Sequence, residues 1–260
     1  MQIVRYATEN GPQYGVIEEG MLRRAQGDPF SRLSAGPIIG EATSATLLPP
    51  VVPSKLIAIG LNYHDHIAND MPAMDVPENP VIFLKPPSSL VGSGASIVLP
   101  RGMQRVDAEA ELAIVIGRTC RHVRARDAYD VILGFCASND VSARDVQFSD
   151  GQWSRAKGYD TFTPLGPAIV TDINADDLAI TSRVNGELKQ SSRTSMLIFS
   201  IPTLIEFVSR VMTLEPGDVI ITGTPGGPPA LHPGDVCEVE IEGLGILRNG
   251  VELEPELTSA

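Results

Sequence analysis

Glycine and proline break this chain so often that no long regular element has room to form. There are 24 Gly and 21 Pro among 260 residues. The apolar runs between them, as at residues 81–84, 96–99 and 109–116, are short and rich in β-branched side chains, which suits strands better than helices. Pro216-Gly217-Asp218 and Pro233-Gly234-Asp235 each open a further strand, at residues 219–222 and 236–241, and this repeated turn chemistry predicts hairpins. Helices are fewer. Residues 126–132 make a short candidate. Residues 202–212 make a better one, with Leu204, Val208 and Val211 on one face, Ser200 at the N-cap and Pro202 in the first turn, where no N–H partner is lost. The sum is an α+β chain dominated by β structure, without the regular βα alternation of a barrel or doubly wound fold.

Residues 1–50 alternate short apolar runs with turn residues and read as a small N-terminal β lobe. The prolines within residues 49–53 mark its boundary with a main domain at 54–260. A strand at residues 56–60 leads into the polar segment 62–69. Residues 71–80 then carry three prolines and no periodicity, the pattern of a loop or lid. Lys and Arg total 20 against 32 Asp and Glu, a formal charge of −12, which opposes general affinity for nucleic acid or an anionic membrane. No apolar stretch approaches the roughly 20 residues of a membrane span. Cys120, Cys136 and Cys237 match neither a disulfide framework nor a zinc spacing, and residues 1–10 lack a secretory pattern. The expectation is a cytoplasmic protein with buried free thiols and a small-molecule partner.

Chemistry concentrates around Asp107-Ala108-Glu109-Ala110-Glu111. On a strand, side chains two apart share a face, so Glu109 and Glu111 project side by side. Paired carboxylates need a shared proton, a basic partner or a cation. Asp140 ends another apolar stretch, and three carboxylates without a nearby thiol describe an oxygen-rich site for Mg²⁺ or Mn²⁺; a solvent-facing strand edge is the alternative. His64 and His66 lack a third nitrogen or sulfur ligand. One of them is either a general base or a structurally bonded histidine. The glycine-rich Gly223-Thr224-Pro225 turn lacks the Lys-Ser/Thr of a phosphate loop but suits a carboxylate, through its N–H groups and the Thr224 hydroxyl.

Taken together, several motifs resemble the fumarylacetoacetate hydrolase family. They are Gly60-Leu61-Asn62-Tyr63-His64-Asp65-His66, Phe83-Leu84-Lys85-Pro86, Glu109-Ala110-Glu111-Leu112, Asn139-Asp140 with Arg144-Asp145-Val146-Gln147, Val184-Asn185-Gly186-Glu187 and Gly223-Thr224-Pro225. The resemblance implies a mixed β-roll catalytic domain, usually homodimeric, behind an N-terminal lobe of variable length. It implies that Glu109, Glu111 and Asp140 hold Mg²⁺ or Mn²⁺, that Lys157 acts in catalysis, and that Lys85, Arg144, Gln147 and Thr224 line the site. The substrates it implies are 2-oxo acids, including those of aromatic catabolism, reacting through an enolate stabilised by the metal.

One position departs from the family. Hydrolytic members carry a glutamate three residues after the histidine matching His66, and here that residue is Asn69, which cannot accept a proton. If residues 65–70 are helical, Asp70 faces His66 one position later and either replaces the carboxylate or is a solvated lid residue. The lead expectation is hydrolysis of a carbon–carbon bond in acylpyruvate-type 2,4-dioxo acids, with His66 and Asp70 activating water. Decarboxylation or isomerisation of 2-oxo or 2-hydroxymuconate-type diacids is the alternative favoured by Asn69. A catalytically silent 2-oxo-acid-binding module is the third.

Overall fold

The computed structural model describes residues 1–256; the last four residues of the expected main domain, 257–260, lie outside the described residues. The N-terminal lobe is an antiparallel meander of β1 (Gln2–Tyr6), β2 (Gln13–Glu18), β3 (Met21–Asp28) and β4 (Arg32–Glu41), with β5 (Leu47–Leu48) returning to pair with β1. After the prolines, β6 (Leu56–Gly60) leads to α1 (His64–Asp70), and beyond the aperiodic residues 71–80 β7 (Val81–Lys85) pairs back onto β6. Next come β8 (Leu90–Val91), β9 (Ile97–Leu99), β10 (Val106–Asp107) and β11 (Ala110–Ile116). A 3-10 turn at Ala125–Val131, where the sequence predicts a short helix, enters β12 (Ile132–Asn139), followed by β13 (Ser142–Ala143), α2 (Arg144–Asp150) and α3 (Ser154–Lys157). The remaining elements are β14 (Thr163–Val170), β15 (Ala179–Val184), β16 (Glu187–Arg193), α4 (Ile201–Val211), β17 (Val219–Ile221), β18 (Val236–Ile241) and β19 (Gly245–Leu253).

Twelve strands form one mixed sheet along the path β4-β3-β2-β1-β14-β12-β11-β17-β6-β7, with β5 and β8 attached to β1 and β14. The N-terminal lobe therefore extends the main sheet, with Ile3 opposite Ile169. A second sheet runs β16-β15-β18-β19-β9, and β10 pairs with β13 alone. Between the sheets, Leu112, Ile114 and Ile116 of β11 meet Ile180, Val239 and Ile241 of the second sheet and Leu204, Ile205 and Val208 of α4. Ala113 and Val115 point the other way, into a cluster with Ile3, Leu56, Val219 and Ile221. Burial on both faces is why β11 reads as a continuous apolar run and not as an alternation. Each such Leu or Ile contributes about 1.5–3 kcal/mol.

Three local expectations change. Val211 lies 55% exposed, because α4 ends there and its apolar stripe is Leu204, Ile205 and Val208. Ser200 caps α4 by position only; its hydroxyl meets Thr203 Oγ1 at 3.0 Å. The two Pro-Gly-Asp turns open β17 and β18 but join no hairpin: β17 runs parallel to β6 and antiparallel to β11, both distant in sequence. No helix among the described residues is long and apolar enough to cross a membrane.

Candidate active site

The carboxylates meet where β11 begins and β12 ends. Ala110 pairs with Asn139, the Glu109 N–H donates to Asn139 Oδ1 at 2.8 Å, and the Asp140 N–H donates to the Glu109 carbonyl at 2.9 Å. The pleat then turns Glu109 and Glu111 to one side, and one oxygen each of Glu109, Glu111 and Asp140 lies within 4.8 Å of the others, all three residues buried.

Cations from three other elements enclose this group. Lys157, at the end of α3, donates to Glu109 Oε2 at 2.7 Å and Asp140 Oδ2 at 2.5 Å. Lys85, at the end of β7, donates to Asp140 Oδ1 and, at 2.8 Å, to the Phe162 carbonyl. Arg144, opening α2, reaches Glu109 Oε1 at 2.6 Å, Asp107 Oδ2 at 2.7 Å and Gln147 Oε1 at 2.8 Å. Burial alone would raise the Glu109 carboxyl, but the Lys157 and Arg144 charges hold it well below the usual carboxylate range. Burial likewise opposes the Lys157 charge, yet Asp140 and Glu109 keep its ammonium above its ordinary value. Lys85 is pulled down by burial in spite of Asp140.

Glu111 stands apart. Its Oε2 accepts the Gly223 N–H at 2.7 Å, and among the described residues no cation lies within ion-pair distance of it. Burial, together with the charges of Asp140 and Glu109, pushes its carboxyl well above the ordinary range. Gly223 is needed here: its φ is +102°, and a Cβ would lie 2.7 Å from Asn62 Cβ. One buried carboxylate is thus uncompensated in an all-oxygen donor set. The buried Tyr63 hydroxyl, on which the Glu111 charge acts, has no partner among the described residues. Both features fit a divalent cation with its water, and each carboxylate oxygen keeps a lone pair beyond its present bond.

On the opposite side, α1 delivers His66, whose Nδ1 lies 3.0 Å from Asp70 Oδ2; the same oxygen accepts the Gly227 N–H at 3.0 Å. Asn69 and His64 are exposed. His66, Glu109, Glu111, Gln147, Lys157 and Thr224 line one narrow cavity of about 10 Å³, room for about one water molecule. Met71 and Trp153 close it, and Trp153 packs so tightly on Gly60 that a Cβ there would lie 2.2 Å from the indole ring.

Two residues expected to line the substrate site, Lys85 and Arg144, do not line this cavity; their bonds go to the carboxylates behind it. Asp140 also lies behind the wall. Three contributors escape the sequence reading. Asp107 is the second carboxylate on Arg144, Trp153 is a wall of the cavity, and Gln190 is buried against Thr224. For Asp107 the signal was its place in the same acidic segment; nothing local marks the other two.

Several known proteins are similar to this chain. Protein Rv2993c of Mycobacterium tuberculosis is 44% identical over 261 residues, covering 96% of this chain and 98% of its own. The mitochondrial oxaloacetate tautomerase Fahd2a of Rattus norvegicus is 46% identical over 226 residues, 83% of this chain and 72% of its own length. Among solved structures, the 2-hydroxyhepta-2,4-diene-1,7-dioate isomerase of Mycobacterium marinum superposes with a TM-score of 0.90 at 42% identity, covering 98% of this chain and 100% of its own. The maleylpyruvate hydrolase of Sphingobium sp. SYK-6, solved with manganese(II) and pyruvate, gives 0.81 at 30% identity over the same shares. Residues 1–50 match the Rv2993c-like N-terminal model. Residues 55–252 match the fumarylacetoacetate hydrolase C-terminal domain, and the chain belongs to the fumarylacetoacetate hydrolase family.

Proposed function

We propose that this chain is a divalent-metal-dependent enzyme that moves a proton between oxygen and C3 of a 2-oxo diacid, interconverting enol and keto forms. The observation that carries this reading is the His66–Asp70 pair facing Glu109, Glu111 and Lys157 across one cavity. A base and a cation site are the minimum equipment for such a transfer, whereas hydrolysis also needs a placed water. The relatives at 46% and 42% identity are a tautomerase and an isomerase, and the hydrolase named above stands at 30%.

Glu109, Glu111 and Asp140 would hold a divalent cation, which would supply Lewis-acid charge to stabilise the enolate form of the substrate. The protein's own groups do the rest. Asp70 accepts the Nδ1 proton of His66, which leaves the Nε2 lone pair to take a proton at C3 or at the enol oxygen. Lys157 uses two of its three N–H donors on Glu109 and Asp140, and the third serves the developing oxyanion. Gln147 accepts from Arg144 through Oε1, so its NH₂ group is left for a substrate carboxylate. A 2-oxo diacid exceeds the present cavity, and its entry displaces the Met71 or Trp153 wall.

Hydrolysis of an acylpyruvate is the second reading, favoured by the same Asp70 contact, which gives His66 the carboxylate that Asn69 lacks. The test is turnover of enol-oxaloacetate, a 2-hydroxydienedioate and acetylpyruvate, each with and without Mg²⁺ or Mn²⁺. Metal-dependent ketonisation above the spontaneous rate, with deuterium from D₂O entering C3 of oxaloacetate, or C3 or C5 of the dienedioate, and no fragments, is the expected result. Pyruvate and acetate from acetylpyruvate would install the second reading, and carbon dioxide from oxaloacetate above its background the decarboxylase. No metal-dependent change in any substrate would sink all three.

A further inference from the structure

Gln190 has no place in the reading above, yet it touches the site from behind. β16 is an edge strand, and Gln190 is its single buried residue, 1% exposed. The β15–β16 register shifts just there: Ser182 stands opposite Gln190 and Arg183 opposite Leu188, so a bulge at Lys189 aims the amide inward. All four hydrogen-bonding positions of the amide are filled. Nε2 donates to Thr224 Oγ1 at 2.9 Å and to the Pro225 carbonyl at 2.7 Å. Oε1 accepts from the Ala110 N–H at 3.0 Å and from Ser182 Oγ at 2.9 Å.

Those partners belong to the site. Ala110 lies between Glu109 and Glu111, and Thr224 lines the cavity. Gly223, next to Thr224, holds Glu111 through its N–H. A closed circuit of bonds therefore runs from the carboxylate strand through Gln190 to Thr224 and Pro225, and back through Gly223 to Glu111. The circuit does more than fill space: an apolar side chain of the same shape would leave the Ala110 N–H, the Ser182 hydroxyl and the Pro225 carbonyl buried without this partner. Its chemical consequence is directional. A Thr224 oxygen that accepts from Gln190 turns its own O–H elsewhere, and the cavity is where an acceptor would meet it.

We infer that Gln190 is a positioning residue that makes the Thr224 hydroxyl an obligate donor to an anionic oxygen of the bound 2-oxo acid. The inference rests on the reading of the site given under Proposed function. The test is a double-mutant cycle of Gln190→Met and Thr224→Val, read as Mg²⁺-dependent binding of oxalate, an unreactive stand-in for the 2-oxo carboxylate, and as KM and kcat. The expected result for Gln190→Met is oxalate affinity and KM weakened about tenfold, kcat within about threefold and Mg²⁺ affinity retained. Thr224→Val should match it, and the double variant should lose no more than either single one. Gln190→Glu keeps the two accepted bonds and removes both donated ones, so it should reproduce the loss. If the wild-type protein binds no oxalate with Mg²⁺, the reading of the site fails and takes this inference with it. Normal oxalate binding by Gln190→Met, or additive losses in the double variant, overturns the inference alone. So does failure of both Gln190 variants to fold, which would make the amide purely structural.

Discussion

The wall carrying Glu109 and Glu111, with Asp140 behind it, and the wall carrying His66, backed by Asp70, meet at one cavity but are held by different means. β11 lies inside the large sheet between β12 and β17, and residues 110–116 are all buried. Every oxygen of Glu109 and Asp140 already has a cationic partner. The opposite wall is a seven-residue helix without a side-chain N-cap bond, far below the length at which a helix is stable alone. It is held by Ile67 and Met71 packing near Leu61 and Trp153, and by Asp70 on the Gly227 N–H. The carboxylate cluster is thus fixed by the main sheet, while the His66–Asp70 pair depends on a few contacts. The relatives include an isomerase, a tautomerase and a hydrolase, so the fold alone does not set the reaction.

The largest expected effects separate two glutamates on the same wall. Glu111→Gln removes a proposed metal ligand and should lower kcat/KM by about 10⁴-fold, some 5–6 kcal/mol. Because Glu111 has no ion-pair partner, the metal-free fold should hold its Tm. Glu109→Gln should be as inactive but also lose about 3–5 kcal/mol of stability, because it leaves buried Lys157 and Arg144 short of a counter-charge. Thermal unfolding with a chelator present distinguishes them, and equal Tm losses would break the contrast. The same comparison has a pH form. Since the Glu111 carboxyl is raised in the folded state, its contribution to metal-free stability is present below the ordinary carboxylate range and lost as pH rises through the raised value. Glu111→Gln should flatten that slope.

The helix-borne wall should give smaller effects confined to turnover. His66→Gln is expected to reduce kcat about 10²–10³-fold and Asp70→Asn about tenfold, with Mg²⁺ affinity unchanged in both. Calorimetric titration of Mg²⁺ into each variant is the control; a weakened ion would mean that the two walls are not independent.

How much of this was legible follows from how local each feature is. Glu109 and Glu111 could be paired from strand periodicity, and Asp140 from its place at the end of an apolar run. Asp70 followed from helical spacing, since residues four apart share a face, and the 3.0 Å contact has that geometry. Lys85 and Lys157 stood out only through the family resemblance, because nothing in a lysine beside a turn says which carboxylate it meets. Gln190 was unreadable: Glu187–Arg193 looks like any polar edge strand, and a register shift decides which residue turns inward. The Pro-Gly-Asp turns show the same limit. Turn chemistry says that the chain reverses, but the partners of β17 come from residues 56–58 and 113–115.

The smallest expected effect is the most informative about the family departure at Asn69. Read from sequence alone, placing at Asn69 the glutamate that the family resemblance implies for hydrolysis should raise hydrolysis. In the structure the Asn69 side chain is exposed, and Asp70 already holds His66 Nδ1 while its other tie, to the Gly227 N–H, fixes it there. A second carboxylate would have to displace Asp70 from both bonds to take its place. Asn69→Glu should therefore change kcat for any substrate by less than about twofold, near the limit of what a surface substitution does. A tenfold gain in acylpyruvate cleavage would mean that Asp70 serves the imidazole poorly and that α1 re-registers to bring the new carboxylate in. The helix-borne wall would then be looser than its contacts imply, and the preference for proton transfer over hydrolysis would reside in this one side chain.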